Sequence, residues 1–77
     1  MNPKEVADEI IQSIRQSGKD AVTYPWMDFY KICDRKRIHE SFMKKIIRRL
    51  KEQSFILAQG SSVVLIAKDF NWAPKKL

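Results

Sequence analysis

Apolar positions recur along this chain with two different periods. Val6, Ala7, Ile10, Ile11 and Ile14 form one stripe at helical spacing. Asn2, Pro3 and Glu5 give that stretch a start: Asn2 can cap, Pro3 suits the first helical position, and Glu5 stands where a capping box closes. Gly18 gives it a stop, because glycine adopts the left-handed conformation that ends many helices. The outer face of this helix (Asp8, Glu9, Gln12, Arg15, Gln16) mixes signs and reads as plain solvent surface.

Ala21-Val22-Thr23-Tyr24 is short, β-branched and aromatic, which predicts one brief strand. A second helix is expected to start where Thr23 or Tyr24 meets Pro25. Its stripe is Trp26, Phe29, Tyr30 and Cys33. Three aromatics at this spacing also suit a base-stacking platform, but the inner face of a short helix predicts core. Cys33 lies on the same stripe and reads as a small buried hydrophobe.

Asp34 to Arg37 is polar and turns the chain, with Asp34 a candidate cap for a third helix. That helix starts anywhere from Arg35 to His39 and runs to Gln53. Ile38, Phe42, Met43, Ile46, Ile47 and Leu50 fall in one half-circle at 100° per residue. Arg37, Ser41, Lys44, Lys45, Arg48 and Lys51 fall in the other. Arg37, Ser41, Lys44 and Arg48 make a ridge opposite the core. After Gln53 the period changes. Ser54–Ala58 and Val63–Ala67 flank Gln59-Gly60-Ser61-Ser62, which reads as a β-hairpin. Phe70 and Trp72 are expected to fold back over exposed core, with a minor-groove role as the alternative.

Charge changes the picture most in the third helix. Arg35 to Lys51 holds eight basic residues and one acid, so +7, whereas the whole chain is +6. The remaining seven Lys/Arg and eight Asp/Glu sum to −1. A solvated helix face usually mixes signs and forms i,i+4 pairs. This one mostly repels itself and makes more physical sense opposite a polyanion.

Composition narrows the function. Seventy-seven residues at 44% apolar make one small globular domain. Residues 1–73 are expected to form it, with 74–77 as a short tail. One cysteine excludes an internal disulfide and a cysteine-based zinc site. The polar N-terminus and the shortness of the apolar run Val63–Ala67 predict neither a secretory leader nor a membrane span. A reducing cytoplasm follows as the expected compartment. His39 is the sole histidine and has no evident partner for metal or acid–base work. Two glycines, Gly18 and Gly60, are too far apart for a phosphate-cradling loop. No catalytic residues, metal ligands, cofactors or small-molecule ligand are therefore expected, and the chain does not read as an enzyme.

The order helix, short strand, helix, turn, basic helix, β-hairpin resembles the winged helix-turn-helix domain. The stretch from Ile46 to Ile56, IIRRLKEQSFI, looks like the end of a recognition helix running into the first wing strand. Many family members have glycine where this chain has Ser54. The inter-helix turn, Cys33-Asp34-Arg35-Lys36-Arg37, departs from the common pattern. The resemblance implies a small α+β fold in which the third helix enters the major groove of double-stranded DNA. By position it implies Arg37, Glu40, Ser41, Lys44, Lys45 and Arg48 as groove-facing, and Arg49 and Lys51 as phosphate contacts. Ser61 lies at the tip of the wing, which carries no basic residue. The function implied is a small transcriptional regulator or a recombination accessory factor, cytoplasmic and nucleoid-associated. A homodimer or cooperative array would supply the specificity one domain lacks. The alternative is a winged-helix adaptor that docks an acidic protein partner.

Overall fold

A computed structural model describes residues 1–75. Helix α1 spans Pro3–Ser17. Its start is fixed by Asn2, whose Oδ1 accepts a hydrogen bond from the Glu5 backbone N–H at 2.8 Å. The Asn2 amide in turn donates to the Glu5 carboxylate at 2.9 Å. This satisfies one of the unpaired donors that every helix start exposes. Gly18 ends the helix at φ 70°, a conformation costly for residues with a Cβ. Val6, Ala7, Ile10, Ile11 and Ile14 are all buried, as their spacing predicts.

Strand β1 covers Ala21–Pro25 and helix α2 covers Trp26–Cys33. Pro25 is therefore not the first helical residue. It keeps an extended ψ of 147°, closes the strand and stands at the N-cap position. Phe29 and Cys33 are fully buried, whereas Trp26 and Tyr30 are partly exposed. Asp34 takes a role other than the expected one. It ends α2 in a left-handed conformation (φ 54°, ψ 44°) and does not cap the next helix. A short polar side chain tolerates that region better than most. Its N–H and that of Arg35 bond back to the last turn of α2.

Helix α3 spans Glu40–Glu52 and starts one residue beyond the expected range of Arg35 to His39. His39 holds the N-cap position in extended backbone, without a side-chain cap. The reason for the late start lies in Ile38. It sits just before the N-cap and shares a cleft with Met43, the fourth residue of the helix. Ile38 and Met43 hold the two positions of a hydrophobic staple, which fixes how the chain enters a helix. Ile38 therefore anchors the turn and is not the first member of the helical stripe. Phe42, Met43, Ile46 and Leu50 are buried, and Ile47 is half-buried.

Strands β2 (Phe55–Gln59) and β3 (Val63–Lys68) form the hairpin. The sheet is antiparallel with the order β1-β3-β2. Val22, Ile66 and Leu57 align across the three strands, as do Tyr24 and Val64 on the two that pair beside them. Phe55, Val64 and Ile66 join α1, α2 and α3 in one core. Ser54, between α3 and β2, has φ 65°, the backbone state that glycine adopts most readily. Its carbonyl accepts from the Asp69 N–H at 2.8 Å, tying the two ends of the hairpin together. Beyond β3, the Phe70 ring meets Phe55 edge-on at 6.2 Å. Lys68 pairs with Asp20 at 2.6 Å and lies 5.5 and 5.6 Å from the Phe70 and Trp72 rings. Both aromatics stay about half exposed. Of the expected tail, Pro74 and Lys75 are exposed and irregular, and the last two residues lie outside the described range. No helix among the described residues is long and apolar enough to cross a membrane.

Two outcomes follow from the core. Leu50 is fully buried in the core that α3 shares with α1 and the sheet. Leu50→Ala should cost about 2–5 kcal/mol in denaturant unfolding, a large share of a small domain's stability. Burial also pushes the Cys33 thiol up to about 11, above its unfolded value. The sign is that of an acid harder to ionise when folded. Its stabilising contribution is complete below the unfolded pKa of roughly 8.5 and is lost as pH rises toward the folded value. Stability measured across that alkaline window should fall more steeply for the wild type than for Cys33→Ala.

Candidate nucleic-acid interface

Helix α3 is held by its apolar side, so its other side is presented to solvent on a fixed backbone. Ser41, Lys44, Lys45, Arg48 and Lys51 are exposed there. Lys44 pairs with Glu40 one turn earlier at 3.3 Å, and both side chains are largely exposed. Such a pair is weak and readily exchanged for another partner. Among the described residues, Lys45, Arg48 and Lys51 have no carboxylate within ion-pair distance.

Arg37 is not on this helix. It lies in the exposed turn before it, three residues ahead of Glu40. The expected four-residue ridge is therefore a three-residue one, Ser41, Lys44 and Arg48. Arg37 instead joins Arg35 and Lys36 in a basic turn. Arg35 is partly committed, because its guanidinium stacks over the Phe42 ring at 4.1 Å.

Arg49 is engaged within the fold. Its Nε donates to Asp8 Oδ1 at 2.9 Å and a terminal nitrogen reaches Asp8 Oδ2 at 3.5 Å. Another terminal nitrogen meets Glu52 at 3.3 Å. The hydrogen bond to Asp8 is the main reason its guanidinium pKa is raised further, with Glu52 adding to it. A fork bound to two carboxylates has little charge left for a phosphate. Asp8, read from the sequence as ordinary surface, is thus the residue that joins α1 to α3.

The hairpin tip is held down as well. Gly60 pairs with Val63 across Ser61 and Ser62, its N–H donating to the Val63 carbonyl at 2.8 Å. The Trp26 indole N–H donates to the Gly60 carbonyl at 2.8 Å. The Trp26 backbone N–H reaches the Ser62 carbonyl at 3.4 Å. Gly60 suits this close approach, since a Cβ would stand 3.0 Å from the Val63 carbonyl oxygen and the backbone there would have to give slightly. The tip therefore rests against the start of α2. Ser61 is exposed on it, and no basic side chain accompanies it.

No family model matches this chain, and neither the curated proteins nor the solved structures contain a significant match to it. Among the described residues no group of three or more His, Cys, Asp or Glu is placed to hold a metal ion. His39 is exposed at the start of α3. Sequence reasoning passed over Lys4, which the fold brings beside Lys45 and Arg48 in an open cleft.

The tether between α2 and the hairpin gives a direct test of this geometry. Trp26→Phe keeps an aromatic ring but removes the bond to Gly60. Unfolding should show a loss of about 1 kcal/mol. Amide exchange at Gly60, whose N–H bonds to the Val63 carbonyl, should quicken more than exchange in α1.

Proposed function

We propose that the chain is a winged helix-turn-helix domain that binds double-stranded DNA through α3. The observation that carries this reading is the division of α3 into two faces. One is buried in the core, and the other presents Lys44, Lys45, Arg48 and Lys51 around Ser41. The two carboxylates on the helix are already engaged, Glu40 by Lys44 and Glu52 by Arg49. The turn ahead of it adds Arg35, Lys36 and Arg37. A surface of one sign on a rigid helix suits the charge density of a duplex.

In this reading the N-terminal half of α3 approaches the base edges. Ser41 is a permissive partner, Lys44 suits guanine O6 and N7, and Glu40 can accept from cytosine N4 once Lys44 turns to the base. Lys51, at the far end, neutralises phosphate. Arg37 reaches backbone from the turn. The wing adds little, because its tip is uncharged and rests on α2. A single such domain covers few base pairs, so a homodimer or cooperative array on DNA completes the specificity. The role is that of a small transcriptional regulator or recombination accessory factor at the nucleoid.

Binding to a site selected from random duplexes, compared with arbitrary duplex over a salt series, tests the reading. Lys44→Ala should cost about 1–3 kcal/mol on the selected site and much less on arbitrary DNA. Lys51→Ala should weaken both alike and reduce the log–log salt slope by about 0.9. Identical behaviour of the two variants would defeat the division of labour. If the wild type ignores duplex DNA even at low salt, the reading itself fails. The basic face would then serve the alternative, docking of an acidic protein.

A further inference from the structure

We propose that the cleft where α1 begins beside α3 seats a backbone phosphate of the bound duplex, held by Lys4, Lys45 and Arg48. The inference rests on the DNA-binding reading above and adds a contact from a second helix.

The cleft is open, with a volume of about 410 Å³. Asn2, Pro3 and Lys4 form one wall, and Lys45, Arg48, Arg49 and Glu52 form the other. Its charges do not cancel. Arg49 and Glu52 pair with each other, and Arg49 is bound to Asp8 as well. That leaves three cations around one space, none with a carboxylate in ion-pair range among the described residues.

The position of Lys4 sharpens the point. It stands in the first turn of α1, at the positive end of the helix dipole. An acid stabilises a helix there and a base destabilises it. Lys4 also lines the same cleft as Lys45 and Arg48. Both placements oppose stability, and a bound anion would reverse both. A singly charged phosphodiester on an extended, regularly spaced strand fits that need, since the remaining cations of α3 require neighbouring charges.

The geometry also suits a duplex. A helix lying in the major groove is flanked by the sugar-phosphate backbones. The cleft lies on one flank of α3, toward its C-terminal half. Seating a phosphate there assigns Lys45 and Arg48 to backbone, not to bases. It leaves Glu40, Ser41 and Lys44 at the N-terminal end for readout. Phosphate contacts of this kind fix register and orientation without conveying sequence.

The experiment compares the wild type, Lys4→Ala, Lys4→Arg and, as a control at the other end of α1, Arg15→Ala. Binding is measured on a selected site and on arbitrary duplex over a salt series, with melting temperature recorded for each protein. Lys4→Ala should lower the log–log salt slope by about 0.9, weaken both duplexes by the same factor, and keep or raise the melting temperature. Lys4→Arg should restore the slope, and Arg15→Ala should leave it unchanged. A wild-type slope retained by Lys4→Ala would overturn the phosphate seat while leaving α3 as the DNA-binding element. A slope lost in Lys4→Ala and not restored by arginine would overturn it too. No binding by the wild type would overturn both readings together.

Discussion

Burial of one side of α3 against α1 and the sheet is the constraint on which the molecule depends. Ile46 and Leu50 are fully buried, and they meet a stripe from α1 in which Val6, Ala7, Ile10, Ile11 and Ile14 are buried too. Phe29 and Cys33 from α2 and Val64 and Ile66 from β3 close the same core. A chain of 77 residues has little further apolar surface to draw on. The orientation of α3 about its own axis is set by that packing. The direction in which its basic side chains point is a consequence of it.

Polar contacts then refine what the apolar contacts establish. Asp8 and Arg49 join α1 to α3 at their shared edge. Gly60 and Trp26 join the hairpin to α2. Lys68 and Asp20 join the end of β3 to the approach to β1. Each contact links elements that are distant in sequence and lies at the rim of the core. Among the described residues no polar or charged residue is buried in it. The excess positive charge is thereby left at the surface, where it is available to a partner.

Much of this was legible in the residues. The caps of α1 are local, involving Asn2, Glu5 and Gly18, and local signals survive without a structure. The switch from helical to alternating spacing at Ser54 marked the hairpin for the same reason. The start of α3 was not legible, because Ile38 satisfies two patterns at once. It fits the helical stripe with Phe42, and it fits a staple with Met43. Only packing decides between them. Asp34 was similarly ambiguous, since short polar residues serve both at helix starts and in left-handed turns. Arg49 carried a warning in its angle, about 20° from Phe42 at 100° per residue. Its partner Asp8, however, is 41 positions away and becomes a neighbour only in the fold. Lys4 was missed on the same ground.

The sheet order has a consequence for how the chain comes to be folded. β3 lies between β1 and β2, so neither of those strands pairs with anything until Val63–Lys68 exists. During synthesis α1 can form early, because its caps and its hydrogen bonds are internal. Ala21–Pro25 must wait for Val63–Ala67, the partner residues far downstream. Closing that loop is slow relative to helix formation. A nascent chain halted at Gln59 would hold a basic helix without the sheet that orients it. Acquisition of the surface charge pattern is therefore coupled to completion of the last strand.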